Sequence, residues 1–327
     1  MRHRFQAALL AVCCLPLWPA RHAAAHAVAG VRIFPVTLTI DDPGVADEAS
    51  IPTFSVQRQA ADGGPGPTYQ YNFGAEFDKT ITKNFGLGIN DAYVVSSTAH
   101  DKTRTGFQDI SVTAKYQAWV NAEHEFIVSL GVIREFGRTG TVHIGADQYG
   151  NTTPTVYFGK GLGDIPVPWL RPFAVTGTFG FSVADKELKA TSPAPGLAAS
   201  MLGGVTGLMS QTFNNGYSNR WVGGLSLQYS LPYYTSQVKD LGLPDFVNSL
   251  VPVVEFAWSS PAAKPSDLGT QAVFAPGIIY LGQKFQVGVE ALVPANRASG
   301  RNIGVISQIH LFFDDLFPTT LGKPIFE

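Results

Sequence analysis

YSNRWVGGLSLQYSL, residues 217–231, is the stretch whose reading decides the fold. Trp221, Leu225, Leu227, Tyr229 and Leu231 share one parity; Arg220, Ser226, Gln228 and Ser230 share the other. Only an extended chain separates residues by period two, because successive side chains of a strand point to opposite faces. One face is therefore apolar and aromatic, and the other is wet. GFQDISVTAKYQAW, residues 106–119, repeats the division, with Ile110, Val112, Ala114 and Tyr116 opposed to Asp109, Ser111, Thr113, Lys115 and Gln117. KFQVGVEALV, residues 284–293, sets Phe285, Val287, Val289, Ala291 and Val293 against Lys284, Gln286, Gly288 and Glu290. YQYNFGAEF and NIGVISQIHLFF follow the same rule.

Segments of this kind recur along the chain, bounded by Gly, Pro, Asn and Asp, as in antiparallel strands joined by turns. They fall at 51–59, 68–79, 83–96, 106–119, 124–136, 153–162, 169–184, 217–231, 248–260, 270–281, 284–294 and 301–313. Twelve is an even number, so both chain ends lie on one side. The tight links TITK, VNAE and LGQ then share that side, while the longer links 97–105, 137–152, 185–216, 261–269 and 295–300 share the other. A soluble sandwich would also alternate. Here the polar face is rich in Gly, Ser, Thr and Gln, and Tyr and Trp cap the apolar bands, as in a barrel with a wet lumen and aromatic girdles. Hydrocarbon offers no partner to backbone N–H and C=O groups, so a sheet in lipid must close on itself. The expected fold is all-β: a closed antiparallel transmembrane barrel of about twelve strands with long outer loops. The strands at 51–59, at 153–162 and around Pro276 carry the weakest signals, since proline removes a ladder donor.

Composition agrees. Charged residues make up 15% of the chain and aromatics 12%, against roughly 25% charged in an ordinary soluble domain. Arg2 and Arg4 precede the apolar run AALLAVCCLPLW, and AHA at Ala25–Ala27 offers a small-x-small cleavage site, which together read as a secretory signal peptide. Lipidation at Cys13 is a lesser alternative, because Val12 is bulky for the preceding position. Removing residues 1–27 deletes three arginines and no acid, shifting the formal charge from −2 to −5, and takes both cysteines with it. No disulfide framework or thiolate metal site is then left. The expected organisation is a signal peptide at 1–27, a periplasmic N-terminal segment at 28–50, an outer-membrane barrel at 51–313 and a periplasmic tail at 314–327. The expected partners are membrane lipid, a small-molecule solute and the outer-membrane assembly machinery. Nothing suggests nucleic acid, and no cofactor is implied.

GFQDISVTAKY, Gly106–Tyr116, resembles the G-F-x-D-hydrophobic-x-V-x-x-K-Y strand of the MetA-pathway phenol-degradation family of outer-membrane proteins. The resemblance implies a channel-like barrel for small, often aromatic or apolar compounds; for Asp109 and Lys115 it implies a structural role. The C-terminus departs from the usual pattern of a final strand ending on a terminal aromatic. Here Phe313 closes the last strand and FDDLFPTTLGKPIFE places Phe326 next to last.

If the polar faces turn inward, Glu76, Asp109, Lys115, Arg220, Glu290 and His310 line the lumen and set its selectivity, as charged rings do in pores. Mutual pairing across the wall is the structural alternative. The run IDDPGVADE gathers Asp41, Asp42, Asp47 and Glu48, and Asp314 with Asp315 would share their rim. Oxygen-rich clusters bind Ca²⁺, but this spacing fits no loop motif, and solvated termini account for both runs. Enzymatic motifs are scarce: there is no G-x-S-x-G, and the mature chain has only His100, His124, His143 and His310. A wall hydrolase could still be assembled from His124 or His143 and a nearby Ser. GKGLG at 159–163 precedes DIPVPW instead of a helix, and reads as a turn. The apolar stretch GLAASMLGGVTGLM in the 185–216 loop is either a surface loop or an inward-folded constriction. The expectation is a passive conduit and not an enzyme; a non-transporting barrel, either lipid hydrolase or structural protein, is the competing class.

Overall fold

The computed structural model describes residues 27–59, 67–99, 101–144, 146, 148–186, 219–262 and 270–326. Residues 1–26 of the proposed 1–27 leader, nearly all of the 185–216 loop and His100 lie outside them.

Twelve antiparallel strands form the wall. In chain order, after a small hairpin of β1 (Ala27–Ala29) and β2 (Arg32–Phe34), they are β3 (Glu48–Gln59), β4 (Thr68–Thr82), β5 (Phe85–Thr98), β7 (Ser111–Asn121), β8 (Phe126–Glu135), β9 (Asn151–Gly161), β10 (Phe173–Ala184), β11 (Arg220–Tyr229), β12 (Leu250–Pro261), β13 (Gln271–Leu281), β14 (Phe285–Pro294) and β15 (Gly304–Phe312). A short β6 (Arg104–Phe107) pairs with the upper half of β5 and precedes β7 along the same edge. Each wall strand pairs with its sequence neighbour, and β15 returns to β3, with Phe312 opposite Glu48 and Val305 opposite Val56. That last pairing removes the two edges a sheet could not leave bare in hydrocarbon.

All twelve expected strands are present. The first begins at Glu48 and the last ends at Phe312, with Phe313 opening a short helix, Phe313–Leu316. The family-like string is not one strand: Phe107 pairs with Tyr93 and Ser111 with Asn90, so three residues, 108–110, oppose two. Pro276 keeps its place opposite Val254 but interrupts the ladder to β14, which skips from Phe274–Val293 to Gly277–Glu290. A proline has no N–H to give on that side.

Alternation sorts the faces as expected. Trp221, Leu225 and Leu227 are exposed outside, while Arg220, Ser226 and Gln228 are buried inside. Phe179, Trp221 and Trp258 gather towards the long-loop end. Phe173 with Tyr229 and Trp119 with Phe126 gather at the turn end. These are the two belts that amphipathic rings form at the borders of a bilayer.

The largest departure concerns residues 28–50. Expected to hang in the periplasm, they instead run inside the wall: Phe34, Leu38 and Ile40 are at most 1% exposed, and Glu48, Ala49 and Ser50 belong to the first wall strand. The reason is readable afterwards. Val36, Leu38 and Ile40 alternate with Thr37 and Thr39, an apolar edge that water would not hold free.

Candidate functional site: the lumen and its N-terminal plug

The segment enters as a hairpin turned at Gly30, whose φ is +66°. A Cβ there would collide with the carbonyl of Ala122, so only glycine passes this point. Ala27, Ala29 and Phe34 pack on Ile127 and Ala174. The chain then climbs to mid-lumen and descends again to join β3.

At the top of the climb Glu255, on β12, accepts from the backbone N–H groups of Leu38 (3.0 Å), Thr39 (2.6 Å) and Ile40 (3.2 Å), and from the Thr39 hydroxyl. Leu38 sits where a side chain at Gly288 would stand. Gln286 donates to the Val36 carbonyl, Ser129 donates to the Pro43 carbonyl, and Lys115 donates to the Asp42 carbonyl. Leu38 and Ile40 also join an apolar stripe on the inner face of β11–β15, formed by Val222, Val251, Val253, Ala257, Val273, Ala275, Ile279, Leu292 and Ile306. Across the lumen the inner residues are polar: Ser55, Gln57, Asn72, Asn90, Ser111, Thr153 and Thr176 are all buried.

Of the six residues expected to line the lumen, Glu76, Asp109, Arg220, Glu290 and His310 are buried and Lys115 is partly buried, and they form no ring. Lys115 lies 2.8 Å from Asp41 of the plug and over the Tyr157 ring. Arg220, at the long-loop end, donates to the Ser259 hydroxyl at 2.7 Å. Asp109 sits in the break between β6 and β7 and accepts from the N–H groups of Thr139 (3.0 Å) and Gly140 (2.9 Å), so it anchors the 137–141 loop. Glu76 is buried on β4. Glu290, 1% exposed, leans across the space left by Gly277. His310 hydrogen-bonds Ser50 (2.8 Å) and Glu48 (3.0 Å).

The acidic run is not solvated. Asp42, Asp47 and Glu48 are buried. Asp47 accepts from Lys79 (2.6 Å) and from the N–H and hydroxyl of Thr80 (both 2.7 Å). Burial pushes the Asp42 carboxyl up, opposed by the Lys115 ammonium. Asp314 faces Asp47 as expected for a shared rim, and burial together with the Asp47 charge raises its carboxyl to about 8. Among the described residues no group of three His, Cys, Asp or Glu is placed to hold a metal.

Neither histidine considered for a wall hydrolase takes that part. His124 faces Asp164, and His143 bonds the Thr105 carbonyl. The Ser–His–carboxylate row that does form, Ser50–His310–Glu48, was missed because its members lie at opposite ends of the chain. It joins β3 to β15 across the closing seam. Ser50 is 1% exposed, so its hydroxyl is closed to solvent in this structure. A small cavity of about 10 Å³ beside Asp41, Thr155, Tyr157 and Thr178 has room for roughly one water.

At the turn end, reading from sequence also missed Arg32, Glu125 and Tyr233. The fully buried Arg32 pairs with Glu125 at 3.0 Å and lies 3.6 Å over the Tyr233 ring, and the Tyr233 hydroxyl donates to Glu125 at 2.7 Å. Burial and the Glu125 contact push the Tyr233 phenol up to about 12. No local spacing links residues 32, 125 and 233, so only closure of the wall could bring them together.

No family model matches the chain, and no characterised protein matches its sequence. Among solved structures, the COG4313 outer membrane channel from Pseudomonas putida F1 is similar at 11% identity, over 82% of this chain and 96% of that one, with a TM-score of 0.47. The KdgM porin is similar at 9% identity, over 80% and 98%, with a TM-score of 0.42. The translocator domain of the autotransporter NalP from Neisseria meningitidis is similar at 11%, over 83% and 88%, with a TM-score of 0.40.

Proposed function

We propose that the chain is a channel-like barrel of the Gram-negative outer membrane, exported by a cleaved signal peptide and inserted by the outer-membrane assembly machinery. It passes small solutes that carry both an apolar and a polar part, without covalent chemistry. The observation that carries this reading is the two-sided lumen. An apolar stripe on β11–β15 faces a wall of buried Ser, Thr, Asn and Gln. Leu38 and Ile40 of the plug occupy part of that stripe, and the same lining suits a solute such as a small aromatic acid, because each half of the molecule then meets its own kind of surface. The resemblance of Gly106–Tyr116 to the phenol-degradation family points the same way.

The filled lumen favours the second reading, a non-transporting barrel. Proteoliposomes separate the two. Both the mature chain and a chain lacking residues 28–46 are loaded, and entry of benzoate is compared with that of a sugar of similar mass. Conduction predicts faster benzoate entry, most clearly in the shortened chain. Entry equal to protein-free vesicles in both would leave the structural reading standing.

A further inference from the structure

We propose that Arg32 is the latch of a retractable plug: its contacts with Glu125 and Tyr233 keep the N-terminal segment in the lumen, and their release opens the path. The inference rests on the conduction reading above for its consequence, though not for its geometry.

The path of the segment makes withdrawal feasible. Both of its ends lie at the turn end of the barrel: Arg32 against Glu125, and Asp47 against Thr80. Its midpoint, Leu38 to Asp42, reaches deepest, against Glu255 and Lys115. A chain that enters and leaves by the same mouth retracts as a loop, with no threading past the far end. It stays tethered to β3 throughout, and none of the pairings that close the wall uses it.

On the N-terminal side of the segment the hold at the mouth is concentrated on one side chain. The Arg32 guanidinium takes Glu125 on one edge and the carbonyls of Arg171 (2.5 Å) and Pro172 (3.1 Å) on the others, while its face covers Tyr233. Glu125 in turn accepts from the N–H of Gly163 at 3.0 Å. Three separate turn-end connections, around residues 125, 163–172 and 233, thus converge on a group supplied by the plug. Planar, always charged and able to serve several acceptors at once, arginine suits this role where lysine would not.

The mature chain contains no cysteine, so Val36→Cys, placed in the buried middle of the plug, reports its position by reaction with a membrane-impermeant maleimide. Val36→Cys alone is expected to label slowly. Adding Arg32→Ala should raise the labelling rate on the order of a hundredfold, since breaking a buried pair exposes an uncompensated charge. Arg32→Lys should fall between them. Heat-modifiable gel mobility establishes that each variant is folded; should Arg32→Ala fail to fold, Tyr233→Phe and Glu125→Gln take its place. Conductance in planar bilayers is recorded on the same samples. Faster labelling with higher conductance supports the latch and the conduit together. Faster labelling without conductance supports the latch and removes the conduction reading. Unchanged labelling in the folded variants overturns the latch, whatever the conductance.

Discussion

At the residue scale, the lumen shows how a carboxylate can organise a peptide. Glu255 satisfies three consecutive backbone donors and one hydroxyl of the plug, and a buried donor left without its acceptor costs roughly 1–3 kcal/mol. Glu255→Ala is therefore expected to destabilise the seated plug by about 3 kcal/mol. Hydrogen exchange checks this: the amides of residues 38–40 lose protection while those of the wall keep theirs. Asp314 provides a pH handle outside the wall. Its folded value, about 8, lies above the ordinary 3.8, so the folded state holds the proton more tightly. Its contribution is fully present below about pH 4 and fades as pH rises towards 8. The tail docks through Lys79, which donates to the Leu321 and Lys323 carbonyls, and through the Ile325 and Phe326 N–H groups, which bond Thr80 and Ile81. Hydrogen exchange at the Ile325 and Phe326 amides, corrected for its intrinsic pH dependence, is expected to lose protection as pH rises from about 4 to 8, and Asp314→Asn to lose that dependence. Parallel rates in the two proteins would show that Asp314 does not control docking. For the five lumen candidates that lie on wall strands, sequence alternation determined which side each faces, because parity along a strand is local. It could not say that Lys115 meets the plug or that Asp109 holds a loop, because those partners arrive from elsewhere in the chain.

At the element scale, every strand was legible, since each carries its own alternation and its own turn residues, but the ends were not: the strands expected at 106–119 and 169–184 begin at Ser111 and Phe173. The first of these falls where the ladder breaks. Residues 108–110 were read through as strand because their parity survives on both sides of the bulge, yet the extra residue turns Asp109 onto Thr139 and Gly140. The two faces of β11 allow a direct check. Leu225→Arg places a charge on the exterior, where midplane arginine costs roughly 2–4 kcal/mol. Ser226→Ala, one residue along and inside, removes one weak acceptor for Gln228 at 3.3 Å and should cost less than about 1 kcal/mol. Equilibrium folding into lipid vesicles measures both; equal costs would mean the faces are misassigned.

At the scale of the whole molecule, deleting residues 28–46 is expected to leave a folded barrel, because the closing pairings from β3 to β15 do not involve them. Far-ultraviolet circular dichroism and heat-modifiable mobility test that, and a chain that no longer folds would make the segment part of the core and not a plug. The sequence by itself determined the cylinder: period-two alternation, turn spacing and an even strand count are local properties, and hydrocarbon leaves a sheet with two such faces no alternative to closure. Only the tertiary structure decided what the cylinder contains. Whether Phe34, Leu38 and Ile40 stay outside or seat on the inner stripe depends on the width of the closed wall and on acceptors as distant as Glu255 and Glu125, and a space enclosed by twelve strands belongs to none of them singly.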